Sequence, residues 1–250
     1  MKALITGATS GIGKKMAEKL SERGWELILT GRNEEVLLKM KEYLGNTEII
    51  TADLADREQV KKVYEFCRDK NIDMLVNNAG YGIFGRFYET DLEDELNMIN
   101  VNITALHILT KLFLRDFKKR DKGIILNVAS VAGFMTGPLL SSYYASKNYV
   151  LRLSLAIYEE LRRERSNVTI TVLCPGPVDT NFNNRAGVSF SAKPITASYA
   201  AEYAIEKALA GKFFAIPGLT AKAAAIGQRF VPNKLLSALV YNVQKAKKKF

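Results

Sequence analysis

Thr6-Gly7-Ala8-Thr9-Ser10-Gly11-Ile12-Gly13 stands between a short apolar run, Ala3–Thr6, and a helical pattern over about Ile12–Arg23. Glycines at such a place permit a tight turn and let a pyrophosphate approach backbone N–H groups closely. The helix N-terminus behind them adds partial positive charge. The spacing is G-x-x-x-G-x-G, not the G-x-G-x-x-G of many dinucleotide folds. Taken alone, the stretch also fits a plain strand-to-helix turn, so its surroundings decide.

Outward from it, short apolar runs alternate with helical patterns. Glu26–Thr30 precedes a helix over about Glu34–Tyr43, and Glu48–Thr51 precedes one over Arg57–Lys70. Asp73–Val76, Gly123–Val128 and Val168–Leu173 read as further strands, with long helices over about Ile99–Lys118 and Ser142–Arg165 between them. Strands this apolar are buried on both faces, and β-α alternation calls for parallel pairing. The expected fold is α/β: a doubly wound, Rossmann-like parallel β-sheet with helices on both faces. No repeat or linker divides the chain, so one domain is expected over residues 1–250. Residues 217–250 form a basic, helical C-terminal extension of it, broken near Pro232. The segment Asn181–Pro194 has weak periodicity and reads as a loop.

The charge follows that organisation. The net charge is +10, yet nine Lys/Arg and no acid lie from Lys207 onward, leaving the preceding residues nearly neutral. Basicity confined to a tail gives no footprint for a nucleic-acid reader. Cys67 and Cys174 have no metal-ligand spacing and read as reduced core thiols of a cytoplasmic protein. No leader or membrane span is expected, and no His/Cys/Asp cluster has metal spacing, so no catalytic metal is expected.

Several further residues carry chemistry. The second strand ends in Thr30-Gly31-Arg32, where an acid would favour NAD. Arg32 can instead fork two N–H donors onto a 2′-phosphate, or stand as a solvated loop cation. Glu34 and Glu35 belong to the start of the next helix. Asn77-Asn78-Ala79-Gly80 places small residues and amides at a strand's carboxyl end. Asp53 could bind an adenine amino group, although alone it reads as a turn or cap residue. Tyr143 and Lys147 lie four apart and share a helix face. A tyrosine is a poor base, and an adjacent ammonium would bring its pKa toward working pH. Ser130, just past a strand end, could hydrogen-bond a substrate oxygen. A lone Tyr-x-x-x-Lys is more often a surface pair. Neighbouring Tyr144 has Asn148 four residues on and lacks the lysine.

With Thr6–Gly13, Asp53, Asn77–Gly80, Ser130 thirteen residues before Tyr143-x-x-x-Lys147, and Pro175–Thr180 in order, residues 2 to about 216 resemble the short-chain dehydrogenase/reductase family. The resemblance implies an oxidoreductase that moves a hydride between NADP(H), or less readily NAD(H), and a carbonyl or secondary alcohol. Ser130, Tyr143, Lys147 and Asn102 would be its catalytic residues, Asn102 holding a water in a proton relay with the lysine. Cofactor contacts would come from Gly7, Thr9, Ser10, Gly11, Ile12, Gly13, Arg32, Asp53, Leu54, Asn78, Ala79, Gly80, Tyr143, Lys147, Pro175, Gly176, Val178 and Thr180. Ala129 departs from the family, many of whose members have a serine there. A homodimer or homotetramer, paired through the two long helices, is the expected assembly.

Other functions compete. A sugar-nucleotide epimerase would need a longer substrate domain, and an NADP(H)-binding sensor without turnover would not need Ser130, Tyr143, Lys147 and Asn102. The substrate stays open. Its determinants are expected in Ala132–Ser142, Asn181–Pro194 and the tail, where Phe134, Met135, Leu139 and Leu140 fit an apolar substrate or core packing equally. His107, in an apolar helix, reads as structural and Trp25 as a packing anchor. The tail, Leu235–Tyr241 followed by Lys245 and Lys247–Lys249, has four readings: weak contact with an anionic membrane surface, closure over the substrate site, a subunit contact, or a solvated helix end.

Overall fold

The computed structural model describes residues 1–180 and 194–246. Strands β1 (Lys2–Thr6), β2 (Glu26–Gly31), β3 (Thr47–Thr51), β4 (Met74–Asn77), β5 (Gly123–Val128) and β6 (Val168–Leu173) pair in parallel, in the order β3-β2-β1-β4-β5-β6. Two two-residue strands, β7 (Val178–Asp179) and β8 (Ile195–Thr196), pair with each other apart from the main sheet. A seventh main-sheet strand, β9 (Phe214–Ala215), adds beside β6 through Val172 and Leu173. Two residues are too few to carry a period, so sequence pattern gives no notice of β9.

Helices α1 (Gly11–Glu22), α2 (Glu34–Leu44) and α3 (Arg57–Cys67) begin where the pattern places them. Asn33 caps α2 by accepting the Val36 N–H, and Asp56 caps α3 by accepting from Glu58 and Gln59. Glu34 and Glu35 occupy the first turn of α2, where acids oppose the helix dipole. The helix expected over Ile99–Lys118 is different in build. It starts at Leu92, capped by the Asp91 carboxylate, and runs as α4 (Leu92–Ile99), a π-helical turn at Asn100–Ala105, then α5 (Leu106–Arg120). The polar run before Ile99 hid the first two turns, and a π turn has no apolar period of its own. Then follow α6 (Ser141–Arg163), α7 (Ala197–Leu209), α8 (Leu219–Gly227) and α9 (Asn233–Lys245). The expected loop over Asn181–Pro194 lies, up to residue 193, outside the described residues.

Alternation along each strand builds two cores. Leu4, Ile28, Leu75, Ile125 and Ile170 point to the face covered by α3, α5 and α6, where they meet Val63, Phe113, Phe117 and Val150. Ala3, Ile5, Leu27, Leu29, Met74, Val76 and Leu126 point to the other, covered by Met16 and Leu20 of α1, Leu37 and Met40 of α2, and Ala201 and Ala204 of α7. Trp25 is buried in this second core. Cys67 and Cys174 are buried and free, and burial pushes both thiols up to about 12. His107 does not sit in a core. It lies on the exposed face of α5, its Nδ1 2.7 Å from the Tyr149 hydroxyl, because its apolar neighbours serve the opposite face.

Strand order reverses between β1 and β4, since the chain builds outward to β3 and then returns. Loops leaving the carboxyl ends of these two strands diverge and open a crevice.

Candidate active site

The crevice is a cleft of about 550 Å³. Its wall at β1 is the glycine turn. Gly7 and Gly11 have φ of +63° and +54°, where a side chain is strained. A Cβ on Gly7 would lie 2.8 Å from Ala79 Cα, and one on Gly13 would lie 2.3 Å from Asn78 Nδ2. The turn is stitched to the loop after β4: Thr6 Oγ1 accepts from the Asn78 and Ala79 N–H groups, and Asn78 Nδ2 donates to the carbonyls of Thr6 and Gly7. This stitching closes the loop behind the turn and leaves the turn's outer side lining the cleft.

Arg32 and Asn33, past β2, and Asp53 and Leu54, past β3, line the same cleft. Arg32 forms no ion pair among the described residues. Asp53 does two things at once, lining the cleft while its Oδ1 accepts the Ala55 N–H at 3.0 Å in a local turn.

The strand ends β5 and β6 bring the chemistry. Ser130 follows β5, its Oγ accepting the Ala132 N–H at 3.1 Å and hydrogen-bonded to Tyr143. The Val131 N–H donates to the Pro175 carbonyl at 3.0 Å, tying this loop to the one after β6. Tyr143 and Lys147 rise from the first turns of α6. Lys147 is buried, with Nζ donating to the Val128 carbonyl at 2.9 Å and lying 5.8 Å from the Tyr143 ring centre. Burial lowers Lys147 to about 8. Burial also raises Tyr143 well above the ordinary tyrosine range, offset in part by the Ser130 hydrogen bond. Loss of water around the phenol, the largest effect on it, runs against the lowering expected from the lysine.

Asn102 sits in the π-helical turn, almost fully buried. Its Oδ1 accepts the Tyr81 N–H at 3.1 Å, while Nδ2 donates to the Tyr81 carbonyl at 2.9 Å and to Ser146 Oγ at 3.0 Å. Gly80 lies between this amide and the lysine: a Cβ there would be 2.9 Å from Asn102 Oδ1 and 3.3 Å from Lys147 Nζ. Glycine is what lets the two approach.

Every residue expected at the site lines the cleft except Gly13 and Asn102. Gly13 is spent on close packing of α1 against the β4 loop, and Asn102 lies behind the cleft wall. Sequence reasoning missed Tyr81 and Val101 as lining residues, while Leu140 and Pro177 lie in the segments Ala132–Ser142 and Pro175–Thr180 that it singled out. Tyr81 directly follows the Asn77–Gly80 motif, a signal that was there to use. Tyr144, set aside for lacking a lysine, lines the cleft as well. Its hydroxyl accepts from Gln244 Nε2 of α9, and Thr136 Oγ1 lies 2.6 Å from Ser237 Oγ of the same helix. The inner face of α9 thus packs on the segment expected to select the substrate. Among the described residues no His/Cys/Asp/Glu group is arranged to hold a metal ion, and no helix is long and apolar enough to cross a membrane.

The cleft suits a dinucleotide. The glycine turn has positive φ at Gly7 and Gly11 and leaves no room for a Cβ at Gly7, the α1 N-terminus offers N–H groups, and Arg32, in the loop after the neighbouring strand β2, forms no ion pair among the described residues.

The chain is similar to known proteins. The short chain dehydrogenase family model matches residues 1–188. A very-long-chain 3-oxoacyl-CoA reductase of Anas platyrhynchos is 33% identical over 207 residues, covering 79% of this chain and 65% of that protein. A hydroxysteroid dehydrogenase-like protein 1 of Gallus gallus is 36% identical over 166 residues, covering 63% of this chain and 50% of that protein. The chain thus spans between half and two thirds of the length of these two relatives. A short-chain dehydrogenase from Sphingobium yanoikuyae, solved in complex with NADPH, superposes with a TM-score of 0.83 at 30% identity, covering 92% of this chain and 93% of that one.

Proposed function

The chain belongs to the short chain dehydrogenase family, and on that premise we propose that it is an NADP(H)-dependent oxidoreductase acting on a carbonyl or secondary alcohol, with Tyr143 as its acid and base. The observation that carries the proposal is a convergence. The hydrogen-bonded Ser130–Tyr143 pair and buried Lys147 share one cleft with the glycine turn and Arg32.

The nicotinamide, when bound, supplies or accepts the hydride. The chain's own residues handle the proton and the position. Ser130 Oγ–H donates to the substrate oxygen and holds it beside the Tyr143 hydroxyl. In reduction Tyr143 gives its proton to that oxygen, and in oxidation its phenolate takes one. The phenol, raised by desolvation, is protonated at neutral pH and so carries the proton that reduction requires. Lys147 places a cation near the phenol and toward the nicotinamide ribose. Asn102 holds Tyr81 and Ser146 and completes the proton relay behind Lys147. Gly7, Thr9, Ser10, Gly11 and Ile12 cradle the pyrophosphate. Asp53 and Leu54 take the adenine, and Arg32 the 2′-phosphate that distinguishes NADP(H) from NAD(H). Asn78, Ala79, Gly80, Pro175, Gly176, Val178 and Thr180 wall the nicotinamide side. Assembly as a homodimer or homotetramer, with Tyr149 and Leu155 of α6 on the free surface, belongs to the same reading.

Binding of NADPH and NADH by titration calorimetry, followed by loss of nicotinamide absorbance against a panel of aldehydes and ketones, tests it. Preferential NADPH binding with turnover is the expected result. Tight binding without turnover on a broad panel would move the protein to the cofactor-sensing class, and binding of neither nucleotide would defeat the reading.

A further inference from the structure

We infer that the outer face of the two C-terminal helices docks the protein on an anionic membrane surface. Helix α9 has two unlike apolar sides. Val240 and Gln244 are buried against the body, while Leu235, Leu239 and Val243, spaced every four residues, form a ridge on the opposite side. Leu219 and Ile226 of α8, and Phe230 between the helices, are further exposed apolar side chains of this C-terminal region. All six side chains are 50% to 82% exposed. Scattered surface leucines need no explanation, but an apolar ridge opposite a packed face does.

The charge identifies the occupant. No acid follows Glu206 in the sequence, whereas Lys222, Arg229, Lys234 and Lys245 lie in or beside these helices and Lys247, Lys248 and Lys249 follow them. Among the described residues none of Lys222, Arg229, Lys234 and Lys245 forms an ion pair. Arg229 also lines, with Arg152, a cavity of about 280 Å³ that has no carboxylate in its wall and room for a phosphate group. Two copies meeting through this face would bring two wholly cationic surfaces together. Anionic headgroups complement the charge while the acyl boundary takes the leucines and phenylalanine. Neither helix is long and apolar enough to span a bilayer, so the contact made by these two helices is a surface one. Inner-face contacts put this surface next to the cleft: Gln244 holds Tyr144, and Ala221 of α8 faces Gly176. The docking does not depend on the reaction assigned above.

The full chain is sedimented with vesicles of phosphatidylglycerol mixed with phosphatidylcholine, and with phosphatidylcholine alone. Binding to the anionic vesicles is expected, falling at least about tenfold on neutral vesicles or in high salt. Phe230→Ser/Leu235→Ser/Leu239→Ser lowers partitioning at least about tenfold, and Arg229→Gln/Lys234→Gln/Lys245→Gln does the same without touching the apolar ridge. Thermal midpoints and sedimentation velocity accompany each variant. No sedimentation of the full chain with anionic vesicles overturns the inference, and so does equal binding to neutral ones. A serine variant that merely falls from oligomer to monomer, with no vesicle binding by the parent chain, makes the face a subunit contact and overturns it too.

Discussion

At the scale of single residues, the cleft separates chemistry from binding. Tyr143 is half-buried and desolvation keeps its phenol protonated, so removing its hydroxyl should strip the proton step and leave the cofactor cradle intact. Tyr143→Phe is expected to lower kcat about 10²–10⁴-fold with NADPH affinity nearly unchanged, as steady-state kinetics and calorimetry would read. Near-normal turnover would remove Tyr143 from its role. Arg32 makes the converse prediction. Charge-assisted bonds contribute about 1.5–3 kcal/mol, so Arg32→Ala should weaken NADPH about tenfold or more while NADH binding barely moves. Equal loss for both nucleotides would mean that Arg32 does not read the 2′-phosphate. The glycine motif, Arg32, Ser130, Tyr143 and Lys147 were all legible in the sequence because each sits at a fixed offset from a strand end or along one helix. Tyr144 was not, since its hydrogen-bond partner, Gln244 of α9, lies a hundred residues further along the chain.

At the scale of elements, the π-helical turn at Asn100–Ala105 has a clear task. It brings Asn102 into reach of Tyr81 and Ser146 at once, joining the β4 loop to α6. Asn102→Ala removes the three hydrogen bonds that its amide makes to Tyr81 and Ser146, at about 0.5–1.5 kcal/mol each. A thermal midpoint lowered by several degrees is expected, together with a loss of kcat. A midpoint equal to the parent's would mean that the turn is held by other contacts. Helix α1 depends on Gly13 in the same way. A methyl group there would lie 2.5 Å from the Gly7 carbonyl oxygen, which is backbone and cannot swing aside. Gly13→Ala should therefore cost about 1–3 kcal/mol and loosen the cradle, seen as a lower denaturation midpoint and weaker NADPH binding. Apolar periodicity predicts where α1 runs, but it carries no trace of a π turn, whose signal is a hydrogen-bond pattern and not a side-chain period.

For the whole molecule, pH should report the buried lysine. Burial lowers Lys147 to about 8, against about 10.4 for a lysine in the unfolded chain. Between these values the unfolded state binds the extra proton, so stability rises with pH across that window. Above about pH 10 the raised Tyr143 acts in the opposite sense, because the unfolded phenol ionises first. Relative to Lys147→Met, the parent chain should gain up to about 3 kcal/mol between pH 8 and pH 10, measured by denaturant unfolding. A difference flat in pH would show that Lys147 is not desolvated. Strands apolar on both faces at the centre of the sheet, alternating with helices, determined from sequence alone a parallel sheet wound on both sides, because βαβ crossovers cover both faces of the sheet with helices. The glycine turn and the serine, tyrosine and lysine spacing determined the family and the reaction class, since these are local patterns. Tertiary structure alone decided the seventh strand, the burial that raises Tyr143, the place of Asn102 behind the wall and the seat of α9 against Tyr144. Each of these rests on contacts between residues far apart in the chain, and on water excluded from between them, which no local pattern records.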